Sequence, residues 1–177
     1  SGMNFPMPSL TRAIDADWGA IAQLLDPIET ILAPEQVAKL SKDYYHFSPI
    51  LAEQLADSVG DLVVRPKTEA EVLKVAQVCV FAKLPLTVRG AGTGNYGQAI
   101  PLAGGVILDL SVMTAVKWVK PGRACAEPGA KLAAIDRIAR PQGWEIRMTP
   151  STYRTATIGG FVGGGSGGIC VMPDEVA

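Results

Sequence analysis

The residues in this chain best suited to chemistry are glycines. There are 19 among 177 residues, about a tenth of the chain against a usual share of roughly 7%. Sixteen of them fall between Gly90 and Gly168, so the excess is local. It forms two runs, Arg89-Gly-Ala-Gly-Thr-Gly-Asn-Tyr-Gly97 and Thr157-Ile-Gly-Gly-Phe-Val-Gly-Gly-Gly-Ser-Gly-Gly168. Such loops have few side chains to pack. Glycine instead permits positive φ and lets the backbone approach a partner closely. Successive amides turned the same way make an anion-binding concavity, with phosphate its usual occupant. Thr93 and Asn95 add side-chain donors to the first run.

Gly92, Gly94 and Gly97 fit G-x-G-x-x-G literally, a weak signal by itself. The dinucleotide version needs a helix opening within the motif. Gln98-Ala-Ile-Pro-Leu-Ala-Gly-Gly105 is a poor helix, which disfavours a nicotinamide-type Rossmann site. No Gly-Lys-Ser/Thr follows, which excludes a Walker loop. Taken alone, the first run also suits a structural glycine turn. The second run, about 60 residues further on and preceded by Pro150-Ser-Thr-Tyr-Arg-Thr-Ala-Thr157, is what two loops gripping one extended ligand require. Other candidates are thin. His46, the single histidine, sits among Tyr44, Tyr45 and Phe47 and is expected to pack with them. Cys79, Cys125 and Cys170 are odd in number and form no C-x-x-C pair. That speaks against a disulfide framework or zinc site and for reduced thiols in a cytoplasmic compartment.

The elements that hold these loops follow from periodicity. The first sixty residues read as helices: Ala16 to Leu25, capped by Asp15 and ended by Pro27, then a short helix opened by Pro34. Leu62-Val63-Val64 is a buried-strand pattern closed by Pro66. Thr68-Glu-Ala-Glu71 is a capping box. It starts a helix to about Lys83 that turns Val72, Val75, Ala76, Cys79 and Ala82 to one face. Leu86-Thr87-Val88 is the next strand, so this strand–helix–strand unit should carry two parallel strands. Strands are predicted at Val106 to Leu110, Ala115 to Val119 and Trp144 to Met148, with Ala124 to Ala126 leading into a Pro128-Gly129 turn. A helix over Ala130 to Arg140 points Leu132, Ala133, Ile135 and Ile138 inward and stops at Pro141. The fold class is α+β, a small parallel βαβ subdomain followed by a mixed or antiparallel one.

Composition limits the partners. The chain is 48% hydrophobic and 19% charged, and 16 basic residues nearly cancel 17 acidic ones. It can fill a core, and a net charge of -1 offers nothing to nucleic acid or an anionic membrane. The longest apolar run, Val75 to Leu86, contains Gln77 and Lys83 and is too short to span a bilayer. No basic-then-apolar leader pattern opens the chain.

Several segments, in order and spacing, are similar to the FAD-binding domain of FAD-linked oxidases. They are Val64-x-Pro-x-Thr-x-x-Glu-Val72, Pro85-Leu-Thr-Val-Arg-Gly-Ala-Gly-Thr-Gly94, Gly104-Gly-Val-Ile-Leu-Asp-Leu110 and Thr157-Ile-Gly-Gly160. This is the vanillyl-alcohol oxidase or p-cresol methylhydroxylase (PCMH) type, and the likeness is strongest to its glycolate oxidase and D-lactate dehydrogenase branch. It runs from about Leu24 to Gly168. It implies an N-terminal helical segment over 1–60 and a PCMH-type FAD-binding domain over 61–177. It also implies a flavoprotein oxidoreductase that removes hydride from a hydroxyl-bearing carbon, such as that of a 2-hydroxy acid, to flavin.

Carried over by resemblance, pyrophosphate contacts fall on Arg89, Gly90, Ala91, Gly92, Thr93, Gly94 and Asn95, with Tyr96, Gly97 and Gln98 close behind. The flavin side takes Pro150, Ser151, Thr152, Thr157, Gly159 and Gly160, then Gly164 and Ser166. Some relatives fasten FAD through a histidine where this chain has Thr93, so FAD is expected to be held non-covalently. The resemblance also implies a further half of the FAD domain and a cap domain beyond these 177 residues. The chain is therefore expected to be incomplete, inactive alone, and without its own catalytic base. The residues leave substrate and electron acceptor open. Rival readings are a non-catalytic FAD-binding subunit of a larger oxidase, an NADPH-using cell-wall precursor reductase, and a purely structural glycine-rich domain.

Overall fold

The computed structural model describes residues 15–42, 58–90, 101, 103–121, 123–145, 154 and 157. Helix α1, Trp18–Leu25, is capped by Asp17, whose carboxylate accepts from the Ala20 amide at 3.1 Å. The cap expected at Asp15 is therefore two residues later, where a short carboxylate reaches the third helical amide. Strand β1, Glu29–Ile31, breaks the all-helical reading of the N-terminal segment. Three residues carry no readable period, and the strand exists through its antiparallel pairing with β2, Leu62–Arg65. Helix α2, Pro34–Leu40, begins at its proline as expected.

Helix α3, Glu69–Phe81, starts at the predicted cap: Thr68 Oγ1 accepts from the Glu71 amide at 3.2 Å. The return bond of the box is displaced by one residue, with Glu71 accepting from the Lys67 amide at 3.4 Å. Strands β3, Leu86–Arg89, and β4, Val106–Asp109, complete a four-stranded sheet in the order β1-β2-β4-β3. β2 and β3 are parallel as the strand–helix–strand pattern requires, but both pair with β4, which lies between them. All four β4 residues are buried, and its apolar run Val106-Ile107-Leu108 suits the centre of a parallel sheet, where both faces are covered.

Side chains alternate across the sheet. Leu62, Val64, Val106 and Leu108 face Leu25, Val75, Cys79 and Leu84, the layer of α1 and α3. Val63 and Ile107 face Val37 of α2. The parallel sheet is thus covered on both faces. Gly105 makes the close approach at its lower edge. Its φ is +88°, and an added Cβ would strike Pro85, whose carbonyl accepts from the Val106 amide at 2.8 Å.

The remaining described elements are an antiparallel hairpin and a helix. β5, Val116–Lys120, pairs with β6, Arg123–Ala126. The sequence predicts only a lead into the turn over the second of these strands, because Arg-Ala-Cys-Ala has little strand propensity and takes its form from its partner. Helix α4, Leu132–Ala139, ends in a 3-10 turn, Arg140–Gln142, closed by Gly143 at φ 82°. Leu132 and Ile135 are buried as expected, but Ile138 is 44% exposed. Asp136 and Ala139 take the inward positions instead, because the buried face follows i, i+3, i+4 and i+7 from Leu132. Trp144 and Glu145 are not in a strand, and the rest of that predicted strand lies outside the described residues.

Candidate functional site

The first glycine run leaves from the carboxyl end of the parallel strands. β3 ends at Arg89, and Gly90 follows, half-buried. In open α/β sheets, ligands bind outside these carboxyl ends. The launch point is held from two sides. The Arg89 carbonyl accepts from the Leu110 amide at 2.9 Å, just past β4. The Arg89 guanidinium donates to the Lys42 carbonyl, beyond α2. Ala91, Gly92, Thr93, Gly94, Asn95, Tyr96, Gly97 and Gln98 lie outside the described residues. On the far side, Pro101 is fully buried and its carbonyl accepts from the Gly104 amide at 3.0 Å.

Beside this launch point lies a group that periodicity did not single out. Arg89 is in register with Asp109, and Arg65, next along β2, binds Asp109 from the other side through Nε to Oδ2 at 2.8 Å. Glu29 is in register with Arg65, 3.6 Å from its guanidinium. Asp109 is 1% exposed, and its other oxygen accepts from the Ser111 amide at 3.0 Å. The Asp109 carboxylate, accepting from the Arg65 guanidinium, holds that arginine above its ordinary value. The signal was present in sequence: a charged residue ends an otherwise wholly apolar strand.

Of the second run's residues, the structure describes Thr157, 3% exposed, in an antiparallel bridge with Lys131 directly before α4. Gly159 and Gly160 follow two and three residues later in sequence. They lie outside the described residues, as do Pro150, Ser151, Thr152, Gly164 and Ser166. Arg154 is exposed. His46 and Tyr153 lie outside the described residues. Cys79 is a buried free thiol pushed up by burial, and Cys125 is free and half-buried. Among the described residues no cluster of His, Cys, Asp or Glu is placed to hold a metal. No helix among them is long and apolar enough to cross a membrane.

The described parts fit a cofactor bound through its phosphates in two respects. The first run begins at the carboxyl edge of a parallel sheet, and the chain enters the second from a buried, paired residue rather than from a free loop.

Residues 60–175 match the family described as FAD binding domain. The glycolate oxidase subunit GlcD of Escherichia coli K12 is 34% identical over 110 residues, covering 61% of this chain and 22% of that protein. The D-lactate dehydrogenase of Archaeoglobus fulgidus is 30% identical over 131 residues, 72% of this chain and 29% of that one. The chain thus spans less than a third of the length of these relatives. Among solved structures, alkyldihydroxyacetonephosphate synthase is similar with a TM-score of 0.69 at 18% identity, over 85% of this chain and 32% of that one. p-Cresol methylhydroxylase gives a TM-score of 0.57 at 20% identity, over 74% of this chain and 25% of that one. The mixed parallel and antiparallel architecture, the glycine-run launch point and the match over residues 60–175 agree, and the chain belongs to the FAD-binding domain family, with a PCMH-type fold.

Proposed function

We propose that this chain is the FAD-binding part of an oxidoreductase that oxidises a hydroxyl-bearing carbon of a 2-hydroxy acid such as glycolate or D-lactate. The observation that carries the reading is the first glycine run leaving Arg89 at the carboxyl edge of a parallel sheet, in a chain of this family. The substrate class is supported by the names of the relatives, a glycolate oxidase subunit and a D-lactate dehydrogenase. In this reading, residues 61–177 form the FAD-binding domain and 1–60 an N-terminal segment. Backbone amides of Gly90 to Gly97 hold the pyrophosphate, and the stretch from Pro150 to Ser166 approaches the flavin. Flavin, when bound, supplies the hydride acceptor, while the protein supplies position and electrostatics. Thr93 stands where a covalent histidine attachment would be made, so FAD is held non-covalently and is released intact on denaturation.

Titration with FAD and, separately, with NAD tests the cofactor. Saturable quenching of flavin fluorescence with no NAD binding is expected, and NAD binding without FAD binding overturns the reading. Oxidation of glycolate and D-lactate with an artificial electron acceptor, measured on the FAD-loaded full-length protein, tests the substrate class. A second reading, an FAD-binding subunit that works only with partners, is favoured by the word subunit in the name of the Escherichia coli relative. Turnover by the FAD-loaded full-length protein alone decides against it.

A further inference from the structure

The carboxyl edge of the sheet carries one charged residue per strand. Across β1, β2, β4 and β3 these are Glu29, Arg65, Asp109 and Arg89, alternating in sign and aligned by register on the face that α2 covers. Asp109 is the fully buried member, at 1% exposure. One of its oxygens takes Arg65 Nε and the other takes the Ser111 amide. Those two bonds fix the chain's exit from β4. The amide of Leu110, between Asp109 and Ser111 in sequence, donates to the carbonyl of Arg89, the residue immediately before Gly90. Arg89 is the residue from which the first glycine run departs.

We infer that Asp109, held by Arg65, is a positioning residue for the first glycine loop. By fixing the turn after β4 it sets the Leu110 bond to Arg89, and through it the point at which the chain leaves β3 for the glycine run. The inference rests on the proposed FAD reading and deepens it. In this role Asp109 acts on the turn after β4 and not on the cofactor directly. Its action is geometric: a buried carboxylate with both oxygens engaged leaves the turn one arrangement. Small misplacements of convergent donors are costly to binding.

Asp109→Asn keeps the volume and an acceptor for Ser111 but loses the ionic bond to Arg65. Expected is a loss of affinity of tenfold or more for FAD and, by a similar factor, for ADP, which carries the pyrophosphate without the flavin. The far-ultraviolet circular dichroism should be unchanged. Val75→Ala, in the core layer on the opposite face of the sheet, is the control. It should lower the melting temperature without weakening either ligand at a temperature well below the transition. If Asp109→Asn does not fold, Arg65→Gln tests the same pair from its partly exposed side. Equal affinities for wild type and the pair variants, or the same affinity loss in Val75→Ala at matched loss of melting temperature, overturns the positioning role. Failure of the wild type to bind either FAD or ADP overturns the cofactor reading itself, and the positioning role with it.

Discussion

Single residues set the conditions for the cofactor loop. In the proposed reading, a valine at Gly94 would put a branched side chain where amides approach the pyrophosphate, and it restricts the backbone. We expect Gly94→Val to abolish FAD binding while the circular dichroism stays that of wild type. Normal flavin affinity in that variant would show the run to be a turn. The two described thiols should behave differently. Burial pushes the Cys79 thiol up, so it stays protonated in the folded chain at pH values where the unfolded chain has begun to ionise. The unfolded state therefore releases its proton first. This contribution to stability is intact below the ordinary thiol value of 9.0 and is lost as pH rises past it. Cys79→Ala should flatten that alkaline decline in melting temperature. With Cys170 replaced by serine, a thiol reagent should modify half-buried Cys125 well before Cys79.

At the scale of elements, the sheet and its two covering layers position the loop. Thr68 ties the start of α3 to the crossover between β2 and β3. Removing its hydroxyl in Thr68→Ala should cost about 1 kcal/mol, measured by denaturant unfolding, and should leave ligand affinity alone. Leu62 is fully buried where β2 meets α1 and α3. Leu62→Ala should cost roughly 2–5 kcal/mol, because the cavity adds to the lost burial. The hairpin of β5 and β6 presents Trp118 with Lys120 at 4.8 Å and Arg123 at 5.8 Å from its ring. These cation–π contacts are surface features and should matter little to stability.

For the whole molecule, ligand binding and stability are linked. A cofactor that binds only the folded chain, present at 100 times its Kd, adds about 2.7 kcal/mol. In a chain of this size that corresponds to a rise in melting temperature of roughly 5–10 °C. FAD should produce that rise and NAD none, and thermal melts with each ligand decide it. No rise with saturating FAD contradicts the proposed cofactor. The two relatives are roughly two and a half to three times the length of this chain, so in the proposed reading the substrate belongs to assays of a full-length protein, and cofactor binding is the property to measure on these 177 residues.

Strands β2, β3 and β4, helices α1 to α4 and the cap at Thr68 are legible in the sequence, because each is written in local periodicity or in a short capping pattern. The sequence also marks the two glycine runs, since glycine density is a property of sequence alone. Long-range packing alone places β4 between β2 and β3, makes Glu29–Ile31 a strand, and turns Asp136 rather than Ile138 inward on α4. The same packing brings Asp109 to Arg65, 44 residues away, beside the start of the glycine loop. Strand order, edge pairing and buried ion pairs join residues distant in sequence. No local pattern encodes which of several similarly apolar strands takes the centre; β2 and β4 carry equally apolar runs, and the order is set by which pairings and covering helices the whole chain can form.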